Sequence, residues 1–81
     1  MKRKAKVYVS LKPSVFDPQG KTVEQALHSL GYGSVTDVRQ GKYFEIEIEA
    51  DTDDGARKSV EEMAHRLLAN PVIESYRVEL L

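Results

Sequence analysis

The run Asp51-Thr52-Asp53-Asp54-Gly55 is the first place where residue type and spacing suggest chemistry. A calcium loop needs acids at its positions 1, 3 and 5, a glycine at 6 and a glutamate at 12. Here the glycine stands fifth and Glu62 twelfth. The misplaced glycine favours a helix start, where Asp and Thr accept hydrogen bonds from the free N–H groups. His28 and His65 each lie beside the apolar stripe of a helix, without the Ser, Cys or carboxylate arrangement that would make either a general base. Both read as structural histidines. Gly31 and Gly33 are followed by no Lys-Ser/Thr pair, so they form no phosphate-cradling loop. Glu45, Glu47 and Glu49 form a row along one strand face, not an acid–base dyad. The chain has no cysteine, which removes thiol nucleophiles, zinc–thiolate sites, iron–sulfur clusters and disulfides. No catalytic constellation emerges, and no cofactor or metal is expected to be bound by this chain.

Composition narrows the class. The chain has 81 residues, which is one domain (1–81, with a basic extension at 1–4). Twelve Lys and Arg against thirteen Asp and Glu give a net charge of −1, which argues against a nucleic-acid partner. No apolar run approaches membrane-spanning length, and Met1-Lys2-Arg3-Lys4 leads into strand-like alternation rather than a signal peptide. The expectation is a cytoplasmic protein with no membrane partner. A chain this short buries only roughly 60–65% of its unfolded surface, so small folds usually recruit a staple. With disulfides and metal set aside, the expected staple is a second chain.

The elements that must position these residues follow from periodicity. Ala5, Val7, Val9 and Leu11 alternate with Lys6, Tyr8, Ser10 and Lys12, the period of a half-buried strand. Pro13 ends it. Asp17-Pro18 reads as an N-cap followed by proline at the first helical position. Val23, Ala26, Leu27 and Leu30 then mark one face of a helix over about 18–30, closed by Gly31. A second strand is expected over 33–40 and a third over 42–50, joined at Gln40-Gly41. Val35 and Val38 differ in parity, which points to an irregular or edge strand. Ala56, Val60, Met63, Ala64 and Leu67 mark a second helix, stopped by Asn70-Pro71, and residues 72–81 form the last strand. The order β-α-β-β-α-β predicts an α+β, ferredoxin-like sandwich: a four-stranded antiparallel sheet with two helices on one face, the first and third strands central.

Two helices leave the other sheet face open, carrying Lys6, Tyr8, Ser10 and Lys12, then Tyr43, Glu45, Glu47 and Glu49, then Arg77 and Glu79. This face reads as solvated or as a subunit interface, where tyrosines suit a partly wet contact. An RNA-binding reading would stack bases on Tyr8 and Tyr43. The strand Gly41-Lys42-Tyr43-Phe44-Glu45 lacks the aromatic signature of that module, and its glutamates would repel phosphates. A small regulatory module of the same topology is the other alternative.

The motifs Lys12-Pro13, Val15-Phe16-Asp17-Pro18-Gln19-Gly20, Ala26-Leu27 and Leu30-Gly31-Tyr32, with Val38-Arg39-Gln40-Gly41-Lys42 and Leu67-Leu68-Ala69-Asn70-Pro71-Val72-Ile73-Glu74, are more specific than generic patterning. From Ala5 to Glu79 the chain resembles the PurS family, the small subunit of phosphoribosylformylglycinamidine (FGAM) synthase. Phe16 stands where leucine is usual and Ser75 where an acid is common. The resemblance implies a non-catalytic subunit of a complex that uses ATP, Mg and glutamine in de novo purine biosynthesis. It implies a glutaminase subunit and a large synthetase subunit as partners, self-association as a homodimer or higher even oligomer, and support of ammonia transfer between the two sites. Asp17, Gln19 and Gly20 then form a helix cap that also contacts a larger subunit. Arg39 and Lys42, at the expected hairpin, are surface charges or contacts to an acidic partner surface. Tyr8 and Tyr43 complete the interface candidates.

Overall fold

The computed structural model describes residues 1–81. Strand β1 (Lys2–Leu11) is followed by helix α1 (Pro18–Ser29), strand β2 (Gly41–Glu49), helix α2 (Asp53–Met63), a π-helical turn (Ala64–Leu68) and strand β3 (Glu74–Leu80). No helix is long and apolar enough to cross a membrane. The sheet is antiparallel in the order β2-β1-β3, with Val7 opposite Phe44 on one side and Val78 on the other. The period-two alternation has the expected consequence. Ala5, Val7 and Val9 are fully buried on the inner face, and α2 lays Val60, and the π-turn Ala64, across them. Phe44, Ile46 and Ile48 of β2, with Tyr76, Val78 and Leu80 of β3, flank this centre half-buried. Arg3 ties β1 to the start of α2 through the carbonyls of Ala50 and Asp51 and the carboxylate of Asp53.

The sheet has three strands where the alternation predicts four. Residues 33–40 are not a strand, Gln40-Gly41 is no hairpin, and β2 is an edge rather than a central strand. The mixed parity of Val35 and Val38 is the physical reason: no register buries both on one face. The segment spends its polar groups elsewhere, the Val35 carbonyl on the His28 ring at 2.7 Å and the Gln40 N–H on Asp17 at 2.7 Å.

Nor do both helices cover the sheet. Of the two helices only α2, continued by the π-turn, packs substantially on the strands. Helix α1 and the return segment 31–40 project from the body as an arm, and the molecule measures 50 × 25 × 14 Å. Its radius of gyration is 16.1 Å, against about 12 Å for a compact chain of this length. The apolar stripe of α1 therefore faces water, with Leu30 74% exposed, while the buried side chain on that helix is Glu24, paired to Lys21 at 2.9 Å. At the other end of the chain, Ala69 N–H donates to the Ala64 carbonyl in an i→i+5 bond. This π-turn advances the helical phase by one residue. Leu68 takes the core place that strict periodicity assigns to Leu67, and Leu67 is left outside.

Candidate functional site

The root of the arm gathers most of the candidate residues. Asp17, in extended backbone before α1, caps the helix as expected: its Oδ1 accepts from Gly20 N–H at 2.9 Å. Its Oδ2 accepts from Gln40 N–H at 2.7 Å. One carboxylate thus ties the point where the chain leaves for the arm to the point where it returns. Asp17 is only 5% exposed. The hydrogen bonds from Gly20 and Gln40, in that order, hold its carboxyl below the usual aspartate range; burial opposes them, and the Arg39 charge and the Gln19 N–H add to them.

Arg39 supplies a second tie. Its guanidinium donates to the carbonyls of Lys12 at 2.9 Å and Val15 at 2.7 Å, closing the loop between β1 and α1. Arg39 is therefore a loop clamp and not a free surface charge at a hairpin. Gly20 is buried because the Val38 carbonyl lies against its Cα, where any Cβ would collide. Gln19 is exposed, as expected, and its Oε1 accepts from the side-chain amide of Gln40 at 3.0 Å. Lys42 opens β2 beside this root and stands 5.9 Å over the Phe44 ring. Between them is a cleft of about 400 Å³ lined by Ser10, Asp17, Gln19, Gln40, Lys42 and Glu74 among others.

Tyr8 and Tyr43 lie on the open sheet face, directly opposite in the β1–β2 register, with stacked rings 6.0 Å apart. Arg77 of β3 covers the other side of Tyr8 at 4.4 Å from the ring centroid. Beyond the tyrosines, Lys6, Lys4 and Lys2 face Glu45, Glu47 and Glu49 in register. The structure thus forms two groups from the candidates: Asp17, Gln19, Gly20, Arg39 and Lys42 at the arm root, and Tyr8 with Tyr43 on the sheet.

Sequence spacing puts Arg77 on the open sheet face and Gln40 at an expected hairpin, but makes neither of them, nor Glu74, a site candidate. The Tyr8–Arg77 contact follows from cross-strand register, readable once strand pairing is known. Glu74 receives the Asn70 N–H at 2.7 Å and closes the turn before β3. The Gln40 tie bridges residues 17 and 40, beyond the reach of any local motif. Chemically, both Asp17 oxygens are occupied by backbone donors, so the carboxylate is a structural acceptor and not a proton-transfer group. No group of three or more His, Asp or Glu side chains is placed to hold a metal ion. The arrangement presents surface: an apolar helix face, an amide pair and an aromatic–guanidinium stack.

Residues 4–81 match the family model PurS, phosphoribosylformylglycinamidine (FGAM) synthase. The FGAM synthase subunit PurS of Bacillus subtilis is 57% identical over 77 residues, 95% of this chain and 90% of that protein. A solved structure of B. subtilis PurS superposes with a TM-score of 0.85 at 56% identity, covering 100% of this chain and 99% of that one. A chain in the structure of PurLQS from Thermotoga maritima superposes with a TM-score of 0.91 at 33% identity, covering 100% and 99%.

Proposed function

Because the chain belongs to the PurS family of FGAM synthase subunits, we propose that it acts as the non-catalytic bridging subunit of that synthase in purine biosynthesis. It would join a glutaminase subunit to a large synthetase subunit in the cytoplasm. The observation that carries this reading is the arm: α1 holds Val23, Ala26, Leu27 and Leu30 on a stripe that the chain leaves largely uncovered, Leu27 alone being half-buried. A protomer that leaves its own helix unpacked is built to be completed by other chains.

The first of those chains is a second copy. Phe44, Ile46 and Ile48 on the inner face of β2 are half-buried, since the single sheet-packing helix leaves the β2 side partly open. The α1 stripe of a partner protomer matches that uncovered strip in chemistry, and the exchange is reciprocal, as a two-fold interface requires. The homodimer, or an even multiple of it, supplies the staple that a small cysteine-free chain lacks.

The larger subunits would meet the surfaces that remain, at the arm root (Asp17, Gln19, Gly20, Arg39, Lys42) and at Tyr8 and Tyr43 on the sheet. ATP, Mg and glutamine belong to those subunits in this reading. Glutaminases of this kind attack with a cysteine thiolate, and this chain has no cysteine. The physical benefit of a bridge is a sealed junction. Ammonia that escapes into neutral water is protonated and loses its nucleophilic lone pair, so close apposition of the two catalytic subunits preserves it. Glu45, Glu47 and Glu49 beside the tyrosines weigh against a nucleic-acid role. Reconstitution tests the proposal: glutamine-dependent amidation is measured with the glutaminase and synthetase subunits, with and without this chain. Loss of activity on omission is expected; equal rates would refute the bridging role.

A further inference from the structure

The arm stands off the sheet, and α1 makes no substantial packing contact with any strand. What fixes its direction is concentrated at its root. Asp17 Oδ1 holds the helix start and Asp17 Oδ2 holds the returning chain at Gln40. Arg39, the residue before, holds the carbonyls of Lys12 and Val15. Gly20 lets α1 press against the Val38 carbonyl, which joins the outgoing and returning limbs without an intervening side chain. Asp17 and Gly20 are both buried, so the bond between them is shielded from competing water, and the Gln40 bond is partly so. Farther out, the His28–Val35 contact ties the two limbs to each other but not to the body.

We propose that Asp17 is a positioning residue for assembly, whose second oxygen latches residue 40 and so sets the stance of the 18–39 arm without contributing to the fold of the sheet. A helix cap needs only the bond to Gly20. The bond to Gln40 serves a different purpose, because it turns two chain crossings into one rigid root. An arm latched there presents its apolar stripe in one direction, and association then costs little ordering entropy. An unlatched arm samples many directions and binds more weakly, though its apolar stripe is unaltered. This rests on the self-association and bridging roles proposed above.

Asp17→Ser separates the two bonds. Serine is an effective N-cap for Gly20, but its short hydroxyl cannot also reach the Gln40 N–H. Hydrogen exchange on the isolated chain reads the latch directly. The Gln40 amide should exchange at least tenfold faster in Asp17→Ser, while β1 amides at Val7 and Val9 keep their protection. In the reconstituted synthase, the concentration of this chain giving half-maximal amidation should rise at least tenfold. Arg39→Met, which leaves Asp17 intact, should shift the same readouts in the same direction. Parent-like exchange at Gln40 in Asp17→Ser would overturn the proposal, and so would loss of β1 protection, which would make Asp17 a residue of the general fold. If omitting the parent chain leaves amidation unchanged, the bridging role fails, while the exchange data still decide the latch.

Discussion

Leu30→Lys separates the protomer from the assembly. Leu30 is 74% exposed, and at an exposed site a substitution shifts stability by roughly 0.5 kcal/mol or less. Lysine is the replacement of choice because Leu30 is the C-cap of α1, where a cation suits the helix dipole. Within one protomer the change should be nearly silent. In a dimer whose partner sheet covers the stripe, the same change removes leucine burial worth about 1.5–3 kcal/mol. About a quarter of that burial is already present in the protomer, leaving roughly 1–2 kcal/mol per copy. A two-fold interface uses the patch twice, so the dimer loses about 2–4 kcal/mol, or roughly 30- to 1,000-fold in Kd at 1.4 kcal/mol per decade. Sedimentation equilibrium over a dilution series measures this, with far-UV circular dichroism to verify the fold. A parent that is monomeric at every concentration, or a variant whose Kd lies within threefold of the parent's, would refute the stripe as the self-association surface.

Two further outcomes are expected. In an open helix Gly→Ala is stabilising by about 1 kcal/mol, but Gly20→Ala would press its Cβ into the backbone at Val38, with Val38 C at 3.0 Å and Asp17 Oδ2 at 2.9 Å. Overpacking against backbone costs about 1–3 kcal/mol. With the obstacle unable to rotate away the cost falls in the upper half of that range, about 2–3 kcal/mol, so the net should be a loss of about 1–2 kcal/mol and a Tm lower by roughly 4–16 °C; a Tm equal to or above the parent's would contradict the close approach. The second outcome concerns pH. Asp17 has its carboxyl held below the usual aspartate range by the Gly20 and Gln40 N–H groups. A depressed carboxylate contributes its stabilisation fully above the unfolded value and loses it as pH falls through the folded one. Gln40 amide exchange, corrected for intrinsic rates, should thus be flat from pH 5 to 8 and rise only under acid below the normal aspartate range. A rise centred near neutrality would exclude Asp17 as the controlling group.

The three observed strands and the helix starts were legible because burial on one face writes itself into sequence as a period. Val7 and Val9, or Ile46 and Ile48, can alternate with charges only if one side of the strand is wet. The fourth strand fails by the same rule: Val35 and Val38 cannot share a face, and the symmetry of a β-α-β-β-α-β template is a weaker constraint than parity. Leu67 was misplaced because one i→i+5 bond shifts helical phase without leaving any mark in residue type. The Asp-Pro cap was readable since its partner is three residues away, whereas the Asp17–Gln40 tie links positions that no spacing rule compares. The stripe on α1 is the most telling case. Its period of 3.6 predicts a helix face packed on the sheet, and the protomer instead leaves most of that face in water. Hydrophobic pattern encodes burial in the state where the chain spends its life, which for a self-associating subunit is the complex. On the proposed self-association, a periodic stripe that one copy of the chain fails to cover is a statement about the second copy, and Val23, Ala26, Leu27 and Leu30 would be residues of a core that one protomer cannot close.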